Sequence, residues 1–541
     1  MTSPTTSESG TLGARPSGSG LDPTRPAAPP TARPAAPQTA PSAAPPAVAG
    51  TTLTLVAMCL GAAMTFLEIT ASVSGLTAIQ ADLQVSPGNA VWIPSAYTLL
   101  VASLVLTGGT LGNRYGRKLM FGLGVVVLAL GSVEVATASS FGLVLLGQGI
   151  AGVGGALILP NSVALLGVAF PDPHRRTEAI TLWAASSGIG LAAGPLVAGV
   201  LLEHFSWHAV FLANPVLAVV ALALAVAVVS ESRQPTAGRL DLAGVVLGTV
   251  TVAALVYGTI DGGHQGYTDV RVVGVFVVAV VSAVLFVVVE SRSAAPMLDV
   301  RLFRSLSFAS VMVVAVVSLF GFAGVATLEV LFFQRVQQLT ALDVGWRLLA
   351  LMLPYVVVAG FSGRLIRRIG FRMPLVGGLL LGGLSGFALV SQNPDTGFGR
   401  VWWLLALFGI ASGFIVAPST AAAMVSVGPA HAGMASGAVN TARQIGTVLG
   451  TSILGTVLTS RLTARLPEEL AAHGVPVAAR EPIAAAVASG TGGGPLPPGA
   501  REAIGSAFAS GVHSGFVVTA IVYLLAAGLV LAGVRNRPHE G

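Results

Sequence analysis

The sequence predicts an all-α polytopic membrane protein with fourteen membrane-spanning helices. Three observations predict it. Of 541 residues, 54% are hydrophobic and only 9% are charged, against about 25% charged in a soluble domain, so the charges are too few to cover a water-facing surface. Apolar stretches of about 20 residues recur along most of the chain, the length a helix needs to cross a hydrocarbon core about 30 Å thick. The charges fall in short clusters between these stretches. In lipid the backbone must satisfy its own hydrogen bonds, which selects helices. A β-barrel would alternate apolar and polar residues over strands of about 10 residues, and no such alternation is present.

Residues 1–50 are Pro, Ala, Thr, Ser and Gly with three Arg. They cannot bury a core and read as a disordered cytoplasmic tail. No short apolar stretch ends there in a cleavage site, so the first span is expected to serve as an uncleaved membrane signal. Spans are read at 53–76, 90–111, 119–138, 141–166, 178–200, 207–229, 240–260, 270–289, 306–332, 344–364, 374–391, 402–424, 434–459 and 512–534. Residues 51–230 then form an N-terminal six-helix bundle, 231–300 an inserted helix pair, and 301–535 a C-terminal six-helix bundle. Within the last, 461–510 is expected as an outer loop, Gly/Pro-rich near 490–499, with room for a short surface helix. Residues 536–541 are a second cytoplasmic tail.

An even number of spans puts both termini on one side, and the basic residues choose it. Loops on the terminal side, with Arg535 and Arg537, carry sixteen Arg or Lys, while the short loops opposite carry only Arg271, Arg335, Arg347 and Arg400. Both termini are therefore expected in the cytoplasm, with the chain in the plasma membrane. Topology explains the net charge of +6 better than nucleic acid does, and no nucleic-acid partner is expected. The lone Cys59 lies in an apolar span and reads as a small core residue. The eight His are scattered, without metal-ligand spacing. No Walker loop offers ATP drive and no catalytic constellation appears. The chain is expected to be neither an enzyme nor the holder of a cofactor or metal.

Two loops repeat. Gly109-Thr-Leu-Gly-Asn-Arg-Tyr-Gly-Arg-Lys118 follows the second span, and Gly363-Arg-Leu-Ile-Arg-Arg-Ile-Gly-Phe-Arg372 follows the tenth. They agree in kind at Gly109/Gly363, Leu111/Leu365, Arg114/Arg368, Gly116/Gly370 and Lys118/Arg372. Two equivalent halves place such loops alike, and repeat architectures of this kind put a substrate site near the midplane between them. Glycines permit the tight turn, and the basic residues hold the loop at the membrane face.

The fifth span contains Gly190-Leu-Ala-Ala-Gly194-Pro195-Leu-Val-Ala-Gly199. Small residues four apart let helix backbones approach closely, and Pro195 removes a backbone hydrogen bond. The first span contains Leu67-Glu68-Ile-Thr70. An ionisable group inside a span marks a functional site by default, and a carboxyl exposed alternately to the two sides can carry a proton or meet a cationic substrate. The fourth span reads Gln148-Gly-Ile-Ala-Gly-Val-Gly-Gly-Ala-Leu-Ile-Leu-Pro160. Glu134 lies near the outer end of the span 119–138 and Glu329 near that of 306–332, where it either pairs with Arg335 or reaches the interface by snorkelling. Arg443-Gln444 lies in the thirteenth span, and Arg443 reads equally as the buried partner of an acid or as an anchor at the cytoplasmic end.

These motifs resemble the major facilitator superfamily, and specifically its fourteen-span drug:proton antiporter branch, over about 53–460 and the last span. Loop 109–118 is similar to the Gly-x-Leu-x-Asp-Arg-x-Gly-Arg-Lys signature, which gates the switch between inward and outward states. The resemblance thus assigns a gate to Gly109, Asn113, Arg114, Gly116, Arg117 and Lys118. Asn113 stands where the family has Asp, so the usual charge latch is weaker or built differently. Gly190, Gly194, Pro195 and Gly199 resemble the antiporter signature Gly-x-x-x-Gly-Pro-x-x-Gly-Gly, the feature that points to export. Leu67-Glu68-Ile-Thr70 is similar to the branch's Leu-Asp-x-Thr. Gln148 stands where the family has an Arg implicated in proton transfer. Trp92-Ile-Pro-Ser-Ala-Tyr97 and Trp207-His-Ala-Val-Phe-Leu-Ala-Asn214-Pro215 are weaker echoes.

The resemblance implies two six-helix bundles with two inserted central helices, working by alternating access around a mostly apolar cavity. Proton coupling or substrate contact is expected at Glu68, Thr70, Gln148, Glu134, Glu329 and Arg443, with Glu68 the principal proton carrier. The expected partners are a small amphipathic substrate, protons and the lipid bilayer, and the expected state is a monomer. A proton gradient can supply about 2.3 kcal/mol per charge per 100 mV. Two alternatives stay open: a nutrient uptake or facilitative transporter of the same fold, and a non-transporting membrane sensor.

Overall fold

The computed structural model describes residues 48–85, 87–90, 92–233, 241–293, 296, 298–427, 432–489 and 496–534. Most of the expected N-terminal tail, the tail 536–541, Arg535, Arg537 and the segment 490–495 lie outside the described residues. Among the described residues fourteen helices are long and apolar enough to cross a membrane: α1 (Gly50–Ser74), α2 (Trp92–Tyr115), α3 (Arg117–Thr137), α4 (Phe141–Ala169), α5 (Pro173–His204), α6 (Trp207–Val228), α7 (Leu242–Gly263), α8 (Val270–Arg292), α9 (Leu306–Val336), α10 (Leu342–Ile366), α11 (Arg372–Leu389), α12 (Phe398–Val425), α13 (Gly437–Ala472) and α14 (Ala500–Gly533). Each coincides with a span read from the sequence.

Polar residues fix where the spans begin. Ser140 caps α4 by accepting from the Leu143 amide, Asp172 caps α5 through Arg175, and Asp241 caps α7 through Gly244. Thr340 accepts from the Asp343 amide ahead of α10. Each cap satisfies an amide that the helix itself leaves orphaned. The prolines at 160, 195, 354 and 418 lie inside helices that continue through them.

The packing repeats. In the first half α1 packs on α5 and α6, while α2 and α3 both pack on α4; in the second, α9 packs on α13 and α14, while α10 and α11 both pack on α12. These are the two six-helix bundles. They meet chiefly through α5 against α10 and through α2 against α13. Tyr355 of α10 marks the seam: its hydroxyl donates to the Ala184 carbonyl of α5 at 3.0 Å, and its ring lies 4.7 Å from that of Phe322 on α9. The inserted pair sits outside, with α7 on α2 and α13 and α8 mainly on α7. Accordingly α8 exposes an almost continuous apolar surface, including Val277, Val280, Val284 and Leu285, as a lipid-facing helix should.

One expectation needs correction. Segment 461–510 is not mainly a loop. Helix α13 runs unbroken to Ala472, a further helix spans Val477–Ser489, and α14 starts at Ala500. Leu462, Leu466 and Leu470 make a stripe four residues apart that packs on Val475, Ile483, Ala500, Ala503 and Ala507. That apolar stripe holds the end of α13, the start of α14 and the helix between them together.

Candidate functional site

Glycine sets the geometry of the first half. Along the α3–α4 seam, Gly131 and Gly147 lie so close that a side chain on either would strike the other helix's backbone. Their neighbours Ser132 and Gln148 are thereby carried to α1. On the other side of α1, Gly190 and Gly194 of α5 press against Ala63 and Thr70, leaving no room for a Cβ. Gly199 packs on Leu342 of α10. The residues Gly190, Gly194, Pro195 and Gly199 thus seat α5 between the helix that bears Glu68 and the opposite half.

Glu68 is fully buried. Its carboxylate accepts from three helices: Gln148 Nε2 of α4 at 3.1 Å on Oε1, and Ser132 Oγ of α3 at 3.0 Å and Asn214 Nδ2 of α6 at 2.5 Å on Oε2. Gln148 Nε2 also donates to Ser72 Oγ at 3.0 Å. Among the described residues Glu68 makes no ion pair. The pocket therefore holds the acid by neutral dipoles. It can serve both protonation states, because Ser132 has one hydrogen and a second acceptor, the Leu128 carbonyl at 3.0 Å. When Ser132 donates to Leu128, its oxygen is free to accept a hydrogen from protonated Glu68. Among the described residues Gln148 Oε1 and Asn214 Oδ1 have no hydrogen-bond partner, so two more acceptors border the acid.

The structure brings Gln148 to Glu68 and leaves the other candidates elsewhere. Thr70 bonds its own helix through the Phe66 and Leu67 carbonyls, both at 3.3 Å. Glu134 is half-buried, and it is not among the residues that hydrogen-bond Glu68. Glu329 corrects both sequence readings: it is fully buried, so it does not snorkel, and its partner is Gln392 rather than Arg335, which is exposed. Among the described residues Arg443 pairs with no acid, and its burial does not suit an end anchor. Its guanidinium is buried and donates to the Val416 carbonyl of α12. Ser132 and Asn214 were not singled out as site residues by the sequence.

The loop between α2 and α3 carries the residues to which the resemblance assigns a gate. Asn113 Oδ1 accepts from Arg117 Nε at 3.1 Å and from its NH2 at 2.8 Å, Gly109 packs on Pro160 of α4, and Arg114 lies over the Tyr115 ring at 5.5 Å. Gly116 turns the chain with φ of 123°, a value suited to glycine. An acid from after α6 lies beside this loop. Glu231 accepts from the Lys118 amide at 3.0 Å and the Leu119 amide at 3.1 Å, capping α3. The Ser232 carbonyl takes the Arg117 amide at 2.9 Å, and Lys118 Nζ donates to the Val226 carbonyl at 3.0 Å. A carboxylate at a helix N-terminus gains from both amides and dipole. These bonds join α3 to the end of α6.

Residues 37–451 match the family described as Major Facilitator Superfamily. The multidrug resistance protein Stp of Mycobacterium tuberculosis is 33% identical over 419 residues, 77% of this chain and 78% of that one. The tetracenomycin C resistance and export protein of Streptomyces glaucescens is 32% identical over 502 residues, 90% of this chain and 92% of that one. The multidrug efflux pump LfrA of Mycolicibacterium smegmatis is 31% identical over 465 residues, 84% and 90% of the two chains. In fold, the crystal structure of the human organic anion transporter MFSD10 (TETRAN) superposes with a TM-score of 0.62 over 89% of this chain and 99% of that one, at 14% identity. The chain belongs to the major facilitator superfamily of membrane transporters.

Proposed function

We propose that the protein exports small amphipathic molecules from the cell in exchange for protons, by alternating access between its two halves. It works in the plasma membrane as a monomer, with both termini cytoplasmic. The observation that carries this reading is the Glu68 pocket: a buried acid without a countercharge among the described residues, held by Ser132, Gln148 and Asn214. Its helix α1 lies against the glycines of α5, and α5 in turn forms the seam with the second half. A proton on Glu68 removes a buried charge, and buried unpaired charge is costly. Protonation therefore changes which packing of α1 against α5 is stable, which is what coupling requires. The resistance and efflux names of the relatives support an amphipathic drug or secondary metabolite as cargo.

The test is accumulation of the fluorescent cation ethidium, and of a panel of aromatic antibiotics, in a host lacking its own pumps. The wild-type protein should lower the internal level, an uncoupler should restore it, and Glu68→Gln should behave like the uncoupler while reaching the membrane in normal amount. Uphill accumulation in cells making the wild-type protein would favour uptake instead, and unchanged efflux in Glu68→Gln would remove this residue from the mechanism.

A further inference from the structure

The second half holds an acid that the Glu68 pocket does not use. Glu329 lies on α9 just before the helix widens to π-type bonding over Phe332–Val336, a distortion that recurs at functional positions. Gln392 follows the end of α11 and is 1% exposed. Its Nε2 donates to Glu329 Oε2 at 3.4 Å. Among the described residues two oxygens are left without hydrogen-bond partners, Glu329 Oε1 and Gln392 Oε1. They belong to the two groups already joined by the amide hydrogen. A carboxylic acid and a primary amide are complementary: the amide N–H meets one carboxyl oxygen, and the carboxyl O–H meets the amide oxygen. One hydrogen on Glu329 Oε1 supplies what both orphan oxygens lack. As a carboxylate, Glu329 would instead be a buried charge with one long hydrogen bond.

We infer that Glu329 and Gln392 form a second proton-binding site, an acid–amide pair closed in this conformation and held in place by His513 of α14. His513 Nε2 donates to the Gln392 carbonyl at 2.5 Å. The same ring lines a cleft of about 530 Å³ with Ser460, Arg461, Ser510 and Ser514. His513 is thus a positioning residue between Gln392 and the cleft, and the carbonyl it holds carries no proton onward. Loading the site is a simple transfer, in which a hydronium ion gives its proton to the Glu329 carboxylate and leaves as water. The neighbouring charges do not compete for it. Arg347 is held by Gln337 Oε1 at 2.7 Å between the Phe333 and Phe398 rings. Arg335, Asp395 and Arg400 are exposed, and Arg461 lies with His513 in the cleft.

Infrared difference spectroscopy on the full-length protein in liposomes tests this without any substrate, so it stands or falls apart from the export reading. Wild-type protein should show a protonated-carboxyl band that Glu329→Gln removes and Glu68→Gln leaves. Gln392→Leu should shift that band towards a free carboxyl, giving a second readout if Glu329→Gln fails to fold. His513→Gln should keep the band but speed its response to deuterium oxide. A spectrum unchanged by Glu329→Gln, or a band position unchanged by Gln392→Leu, overturns the proposal. So does loss of the band on adding sodium at constant pH, which would assign the oxygens to a metal cation.

Discussion

Helix α5 should tolerate no side chain at position 194. An ideal Cβ there would lie 2.5 Å from Thr70 Cβ and 3.2 Å from the Ala71 amide, and would strike Thr70 Oγ1. Gly194→Ala must therefore push α5 away from α1. Overpacking of this kind costs about 1–3 kcal/mol, a factor of about 5 to 150 in an equilibrium. Two of the three obstructing atoms belong to one side chain, so Thr70→Gly should relieve most of the strain, at about 1 kcal/mol for glycine within a helix. The assay is a double-mutant cycle on the unfolding midpoint of the detergent-solubilised protein. Gly194→Ala should lower the midpoint, and the pair should lose less than the two single changes added together, with a coupling of at least about 0.5 kcal/mol. Strictly additive losses would refute the claim that Thr70 and Gly194 form the α1–α5 contact.

Other changes probe separate parts of the structure. Glu231→Ala removes the carboxylate that caps α3. A lost cap costs about 1 kcal/mol, visible as faster proteolysis of the loop between α2 and α3, whereas Asn113→Asp should leave that cleavage rate unchanged. Tyr355→Phe keeps the ring contact with Phe322 but frees the buried Ala184 carbonyl. Because Ala184 lies within α5, which bonds its own carbonyls, the loss should be about 0.5–1.5 kcal/mol and lower the unfolding midpoint, while a silent substitution would deny that this bond ties the halves. At the start of α5, the Arg175 amide holds the Asp172 carboxyl below the usual carboxylate range. A depressed folded value means the cap contributes at neutral pH and is lost as pH falls through that value. Asp172→Asn should flatten this acid dependence in a titration of helix content near the α4–α5 loop.

The spans were legible because length and hydropathy alone decide them: 20 apolar residues have few other fates. Glu68 was legible for the same reason, as a charge where none is cheap. Gln148 stood out only as a departure from a motif, yet it lands on Glu68. Ser132 carried no signal, since a serine in an apolar helix can satisfy itself on the turn before, as Ser132 does on Leu128. Asn214 was visible in a motif, but its role depends on α6 packing against α1, a contact 146 residues apart. Glu231 and Gln392 follow span ends, where a polar side chain looks merely solvated. Their partners lie on other helices, and sequence periodicity does not report such contacts. The 461–510 segment was misread because charges lowered its hydropathy, although the Leu462, Leu466, Leu470 spacing was already helical.

The central claim is that Glu68 couples proton movement to cargo movement. Purified protein in liposomes with a trapped pH indicator tests it most directly. An imposed ethidium gradient should drive a change of internal pH in the direction opposite to ethidium flow, and Glu68→Gln should abolish that change. Equal proton movement in wild-type and Glu68→Gln liposomes, at matched protein content and ethidium flux, would contradict it.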